Sequence, residues 1–473
     1  MRNCFLTIVL ASICLLGRAA DVYQASDPEP TPEETLILEF MNRMRADPRA
    51  DGQRIYDEVK ASKLGWLGRG VDMEMFNKEM GELKSAPPLV MNLKLLEAAR
   101  KHSHYMIKNG LGHVEVQGKD GFVAASFGER IQAAGYSGSG AGENCFARAP
   151  GAYGSHAGFA IDASGPDSKG PGGMQPERGH RRNMANSGFR EVGPGALPNG
   201  NALSVTHNFG NRNVPRLAGG VVFTDKNGNG FYDVGEGLGG VKISGSDGSS
   251  TTTWKSGGYA LDLKGAAKIT LNAEFAGVSF SKGFEAGAEN VKFDWIVPEK
   301  ASLELADKLL QKVDAVSNKQ SPQYFNAVVE LYLACANLGV DAERRAKIDE
   351  LTKDVGPKLS AAQNAIRDAL KDLDPPKFPA LLDEQKRPFS STPAAQWFAD
   401  AGTVATAKAQ FAQLQKSVEA DKNYPISQKN AFAKQLSESA KSMKTPEFAS
   451  MMSALATQAE ALAKPKAAGK RGR

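Results

Sequence analysis

The chain has 473 residues, with 58 Lys or Arg against 53 Asp or Glu, a formal excess of five positive charges. That length exceeds what one hydrophobic core supports and points to about three domains, while 41% apolar and 23% charged residues are ordinary for soluble globular protein. Basic residues are interspersed with acidic ones rather than gathered in a stripe, which argues against nucleic acid as a partner, and beyond the N-terminus no segment is apolar enough for a transmembrane span.

At the N-terminus Arg2 gives a positive flank, Phe5 to Leu16 form a short apolar run, and Gly17-Arg18-Ala19 offers the small residues that a signal peptidase reads. Residues 1–19 are therefore expected to be a removable signal peptide, which implies a secreted or cell-surface protein. Arg18 breaks the apolar stretch before the roughly 20 residues that a permanent span needs. Cys14 follows Ser12-Ile13, which lacks the small residue expected before a lipidated cysteine. Cys4 and Cys14 leave with the signal, and the remaining Cys145 and Cys335 fall in different segments, so no disulfide framework is expected. Residues 20–35 are rich in Pro, Asp and Glu and read as a linker.

From Leu36 to Arg212 helical runs alternate with glycine-rich turns, and all six histidines of the chain lie in this segment. Across Leu93 to Ile107 the residues Leu95, Ala99, His102 and Met106 recur on one face at helical spacing. His102 is thus expected inward, as a buried histidine held by a hydrogen bond, with His104 on another face. Downstream come Gly112-His113, Gly135-Tyr136, Gly142-Glu143-Asn144 and Gly179-His180-Arg181-Arg182-Asn183. Glu143 and Asn144 read on their own as a carboxylate and an amide tying a tight glycine turn to backbone donors.

Taken in order, these motifs resemble the CAP superfamily of cysteine-rich secretory, antigen-five and pathogenesis-related proteins. The likeness spans residues 36–212. It rests on Ala99-x-x-His102-Ser103-x-x-Met106, His113, Gly142-Glu143-Asn144, Gly179-His180-Arg181-x-Asn183, Gly193-x-Gly195 and Thr206-His207-Asn208-Phe209. Phe40 to Arg45 and Pro88 to Asn92 are similar to the family's openings of its first two helices. The resemblance implies an α-β-α sandwich whose groove carries two histidines and two acidic residues, with His113, Glu143 and His180 carried over by motif position. The second acidic slot holds Arg178, so Asp162 or the neighbouring Glu177 must replace it. Ser204 stands where eukaryotic members place a groove histidine, and His207 stands where the final strand carries glutamine.

Such a groove leaves three readings open. It is expected to bind a lipid-like, sterol-like or peptide ligand, or cell-surface material, as family members are thought to do. Alternatively, His113 and His180 could hold zinc or another divalent ion with Glu143 as base, giving a metal-assisted hydrolase of peptide or cell-wall substrate. In the third reading the chain is an adhesion scaffold with a vestigial groove. No H-E-x-x-H helix, G-x-S-x-G elbow, Walker loop or C-x-x-C pair is present to favour catalysis. Cys145, which directly follows Gly142-Glu143-Asn144, reads as a small buried hydrophobe rather than a nucleophile.

Residues 216–297 shift to short β-type runs such as Gly219 to Val222, Val241 to Ser244 and Lys268 to Ala273, a small β-sandwich. Within it, Asp225, Asn227, Asn229, the Phe231 carbonyl, Asp233 and Glu236 occupy positions 1, 3, 5, 7, 9 and 12 of a calcium loop, with Gly230 at the sharp turn. The flanks are strand-like rather than helical. With Gly220-Val221-Val222-Phe223 and Gly258-Tyr259-Ala260-Leu261, the segment resembles the calcium-binding B-type repeats of bacterial surface adhesins, which implies a structural calcium ion. From 298 to 463 the period becomes helical, with Leu303, Ala306, Leu310 and Val313 on one face and Phe325, Val328, Leu331 and Cys335 on the next. Thr392-Pro393 and Thr445-Pro446 read as helix openings. Residues 464–473 read as a solvated basic tail. The expected architecture is therefore α+β: an α-β-α domain, a small calcium-binding β-sandwich and an α-helical C-terminal region.

Overall fold

The structure is a computed structural model that describes residues 22–463 apart from 24, 26, 62–63, 166–169, 276–277, 336–337 and 422. The expected signal segment and basic tail lie outside the described residues.

The first helix, α1 (Pro32–Ala46), begins inside the stretch expected to be a linker. The reason is local: the Thr31 side chain accepts from the Glu34 amide, the Glu34 carboxylate accepts from the Thr31 amide, and Pro32 fills a position that needs no donor. Buried Glu34 also pairs with Arg100, which donates to the carbonyls of Asp27 and Glu29.

There follow α2 (Pro48–Lys60), α3 (Met73–Glu82), β1 (Val90–Met91), α4 (Leu93–Asn109), α5 (Phe127–Ala133), β2 (Ser139–Ala149), α6 (Gly151–Ile161), α7 (Gly179–Ala185), β3 (Glu191–Asn199) and β4 (Ala202–Asn211). The four strands form one sheet in the order β1-β3-β4-β2, with β2 at an edge. Helix α4 lies so close on β3 that a Cβ at Gly193 would stand 2.0 Å from the Leu96 nitrogen, and one at Gly195 2.3 Å from that of Arg100. The G-x-G of the sequence is thus a seat for α4. Helices α6 and α7 cover the opposite face, where Phe146 of β2 meets Phe159 of α6.

Two further sheets follow. Their strands are β5 (Arg216–Phe223), β6 (Lys242–Gly245), β7 (Ser250–Thr252), β8 (Gly258–Leu263), β9 (Ile269–Phe275), β10 (Val278–Phe284), β11 (Val291–Lys292) and β12 (Trp295–Ile296). One sheet runs β10-β9-β6-β7; in the other, β5 pairs with β8, β11 and β12. Ala218, Val222, Ile243, Leu261 and Leu271 bury one shared core between them.

The C-terminal region is helical: α8 (Glu299–Asp314), α9 (Pro322–Cys335), α10 (Ala342–Thr352), α11 (Val355–Lys371), α12 (Phe378–Lys386), α13 (Ala395–Ala420), α14 (Ile426–Ser442) and α15 (Pro446–Ala463). Thr445-Pro446 opens α15, whereas Thr392-Pro393 precedes α13 by a short turn in which the Thr392 hydroxyl accepts from the Ala394 amide. The apolar stripes expected on α8 and α9 are buried at Ala306, Leu310, Val313, Val328, Leu331 and Cys335, and the cluster they form is continuous with the core of the sheets. The first sheet is joined as closely to the second part, since Glu39 pairs with Lys292 at 2.6 Å and Arg212 with Asp262 at 2.9 Å. Among the described residues no helix is long and apolar enough to cross a membrane.

Candidate functional site

Gly142-Glu143-Asn144 is not a turn but the middle of β2, in register with Phe209, Asn208 and His207 of β4. The glycine is there because of a close approach: a Cβ at 142 would stand 2.9 Å from the Phe189 ring and 3.1 Å from the Asn183 side chain. Being a strand, this segment sends alternate side chains to opposite faces. Glu143 and Cys145 therefore face α4 and α5, while Asn144 and Phe146 face α6 and α7. That alternation divides the residues the sequence grouped into one groove.

On the α4/α5 face, His113 Nδ1 lies 3.0 Å from Glu143 Oε1 and 3.5 Å from Cys145 Sγ. The other oxygen of Glu143 accepts from Arg130 Nη2 at 2.7 Å. Arg130 is fully buried, donates also to the His113 carbonyl, and stands 3.5 Å from Glu115. His102 is buried behind it, held by Glu115 through Nδ1 and by the Gly112 carbonyl through Nε2, each at 2.9 Å, as its place on the apolar face of α4 requires. Only His113 reaches solvent, with 54% of its side chain exposed. Around it Leu111, Val114 and Val116 stand out at 66%, 65% and 55% exposure.

Burial alone would raise the Glu143 carboxyl, but the hydrogen bond from His113 and the fields of His102 and Arg130 outweigh it and hold the group below the usual carboxylate range. Burial and the Glu143 charge push the Cys145 thiol well up, which keeps it protonated and unreactive. Arg130 and Glu115 carry this wiring, and no motif marked them. The one usable signal was the capping box Ser126-x-x-Glu129, which starts α5 and so fixes where Arg130 points.

On the α6/α7 face, His180 Nδ1 meets Asp162 Oδ1 at 2.7 Å, and Asp162 Oδ2 accepts from the backbone amides of His180 and Arg181 at 3.0 and 3.4 Å. Of the two candidates for the second acid, Asp162 contacts His180, whereas Glu177 points outward to Arg182. Asp162 and Arg178 are the non-glycine residues with positive φ among those described, at 58° and 49°. Asp162 ends α6 and Arg178 starts α7, where it pairs with Glu79 of α3. Asn144 donates to the His180 carbonyl at 3.1 Å and accepts from the Asn183 side chain at 2.9 Å, which ties this face to the strand. His207 is wholly buried, its ring 4.6 Å from that of Phe159, and neither of its nitrogens has a partner. Burial drives its pKa down to about 3, so it is neutral. Ser204, three residues before it on β4, is buried and donates to the Ser103 carbonyl on the α4 side.

Among the described residues, the set of three potential metal-ligating side chains with ligand atoms within 4.8 Å of one another is His102, Glu143 and Cys145. Each is already committed to Glu115, to His113 with Arg130, or to its own proton, and the Arg130 guanidinium stands where a cation would be drawn. His113 and His180 pair with different carboxylates on different faces.

In the 225–236 loop, Asp225 accepts from the amides of Gly228, Asn229 and Gly230, and Asp233 Oδ2 accepts from the side chains of Asn227 and Asn229, each at 2.7 Å. Gly230 has the positive φ, 69°, that the sixth position needs. Buried Glu236 turns its oxygens to the Lys226 and Asp233 amides. Phe231 stacks on Phe40 of α1 at 5.3 Å.

Residues 38–209 match the model of the CAP family, described as the cysteine-rich secretory protein family. A solved structure of an extracellular protein containing a SCP domain, from Bacillus anthracis str. Ames, is similar at 22% identity over 27% of this chain and 35% of its own, with a TM-score of 0.21. The chain thus spans about a third of that protein's solved length. No curated protein matches.

Proposed function

We propose, from the premise that residues 38–209 form a CAP domain, that the chain is an exported binding protein. It takes a lipid-like or other apolar ligand at the surface around His113. The observation that carries this reading is the wiring of Glu143: both oxygens are engaged, by His113 and by buried Arg130, and its pKa is held down. A general base works best with a pKa near the operating pH, and this carboxylate is held below that range. What it does well is hold the His113 ring beside an exposed apolar rim of Leu111, Val114 and Val116. That combination suits a ligand with an apolar body and one polar group.

Export through residues 1–19 belongs to the same proposal, as does a structural calcium ion at Asp225, Asn227, Asn229, the Phe231 carbonyl, Asp233 and Glu236. Hard oxygen donors gathered in one loop support the latter. Such an ion would stiffen the junction with α1 rather than take part in chemistry.

The test is titration of the mature chain with a naturally fluorescent polyene fatty acid, alongside assays of peptide hydrolysis with and without added zinc. Saturable binding that is lost on Leu111→Asp with Val114→Asp, with no hydrolysis, is the expected result. Zinc-dependent hydrolysis abolished by His113→Ala and by His180→Ala would replace this reading with the metal hydrolase.

A further inference from the structure

The hydrogen-bonding role that His113 offers a ligand is decided by the groups behind it. Among the described residues, both side-chain contacts of its ring run through Nδ1, to Glu143 Oε1 at 3.0 Å and to Cys145 Sγ at 3.5 Å. Nδ1 is thus turned inward, toward a carboxylate whose side chain is only 1% exposed, on a ring that is itself 54% in solvent. Nε2 is the polar atom left for an incoming group to meet.

A neutral imidazole carries one proton, and the bond made by one nitrogen fixes the role of the other. Glu143 settles that bond. Its second oxygen accepts at 2.7 Å from Nη2 of Arg130, a buried arginine that can only donate, and the carboxylate is held ionised. Arg130 also donates to the His113 carbonyl, and Glu115 beyond it is occupied with His102. Cys145 keeps its proton, and a thiol is too weak a donor to compete with a charged acceptor. An ionised carboxylate has no proton to give, so Nδ1 brings the proton to this contact. The Nε2 lone pair then faces outward beside Leu111, Val114 and Val116, all exposed.

We infer that His113 meets its ligand as a hydrogen-bond acceptor, that Glu143 is the positioning residue that makes it one, and that the site selects an apolar ligand whose polar end donates, an alcohol in preference to the corresponding ether. A carboxylic acid meets the same demand while it holds its proton. This selectivity rests on the binding reading above and adds to it the class of polar group. Because the acceptor is solvated in the free protein, the preference is modest, unlike that of a buried site left unpaired by the wrong ligand.

The probes are octanol and octyl methyl ether, which differ in that one donor, titrated by ligand-observed NMR against the full mature chain at about pH 8, above the range in which histidine ordinarily takes its second proton. Octanol should bind about fivefold tighter, the scale of one neutral hydrogen bond, and ring-nitrogen NMR should place the His113 proton on Nδ1. In Glu143→Gln, Arg130 keeps the amide oxygen and the amide nitrogen turns to His113. Nδ1 then accepts, the proton moves to Nε2, and the preference for octanol should vanish, whereas a steric penalty from the added methyl would survive. His113→Ala, which truncates a largely exposed side chain, should abolish the preference in a chain that stays folded even if Glu143→Gln does not. A wild-type proton on Nε2, equal affinity for the two probes, or a preference unchanged in His113→Ala would overturn the selectivity while leaving the binding reading intact. Saturation by neither probe would overturn both.

Discussion

The two faces of β2 use the same residue types for different ends. On one, a histidine and a glutamate meet at 3.0 Å with a buried arginine behind them and half of the imidazole in solvent. On the other, a histidine and an aspartate meet at 2.7 Å, but the aspartate also takes two backbone amides and closes α6 in a left-handed conformation. The first arrangement positions a ring toward solvent; the second ties the end of one helix to the start of another. A histidine beside a carboxylate is therefore no sign of function until the carboxylate's other contacts are known.

The division is most sharply broken by Arg130→Ala. It strands the buried carboxylates of Glu143 and Glu115, and loss of one partner from a buried pair costs about 3–5 kcal/mol, to be read from urea unfolding. Next in size is an acid effect on the α6/α7 face. His207 is held near 3 in the folded chain and titrates near 6.5 when unfolded, so its contribution to stability is complete above about 6.5 and is lost as the pH falls toward 3. The slope is about 1.4 kcal/mol per pH unit, and unfolding midpoints of His207→Leu between pH 6.5 and 4.5 should follow a flatter line than wild type.

Asp162→Ala should cost about 1–3 kcal/mol through its orphaned amides. Asp162→Asn, which tolerates the left-handed backbone and keeps an acceptor, should recover most of that. A deficit as large for Asn as for Ala would show that the carboxylate charge, rather than the capping, is what matters. The smallest effect belongs to His113→Ala, which takes one hydrogen bond from buried Glu143 but opens that oxygen to solvent and should cost about 1 kcal/mol while ligand affinity falls.

Much of the framework was legible locally. The face of α4, the glycines that seat it, the short β-runs after Leu217 and the stripes of α8 and α9 follow from spacing and size, and residues 38–209 match the family that the ordered motifs resemble. The site was less legible, because its wiring is long-range. Arg130 becomes informative only when α5 folds against β2, and Glu34 only when it meets Arg100 across 66 positions. The turn expected at Gly142-Glu143-Asn144 is a strand, because Gly142 marks a close neighbour rather than a bend. In a strand, adjacent Glu143 and Asn144 necessarily point to opposite faces. Within 20–35 the Thr31 to Glu34 capping box is a local helix-start signal that outweighs the linker-like composition from Pro32 onward.

The central claim, that the two histidine faces act apart and that ligand is taken on the His113 side, is tested most directly by a double-mutant cycle of His113→Ala and His180→Ala, read by affinity for the polyene fatty acid. The account predicts a loss from the first, little change from the second and a coupling energy below about 0.5 kcal/mol. Equal losses with strong coupling would mean that both imidazoles serve one groove, and would contradict it.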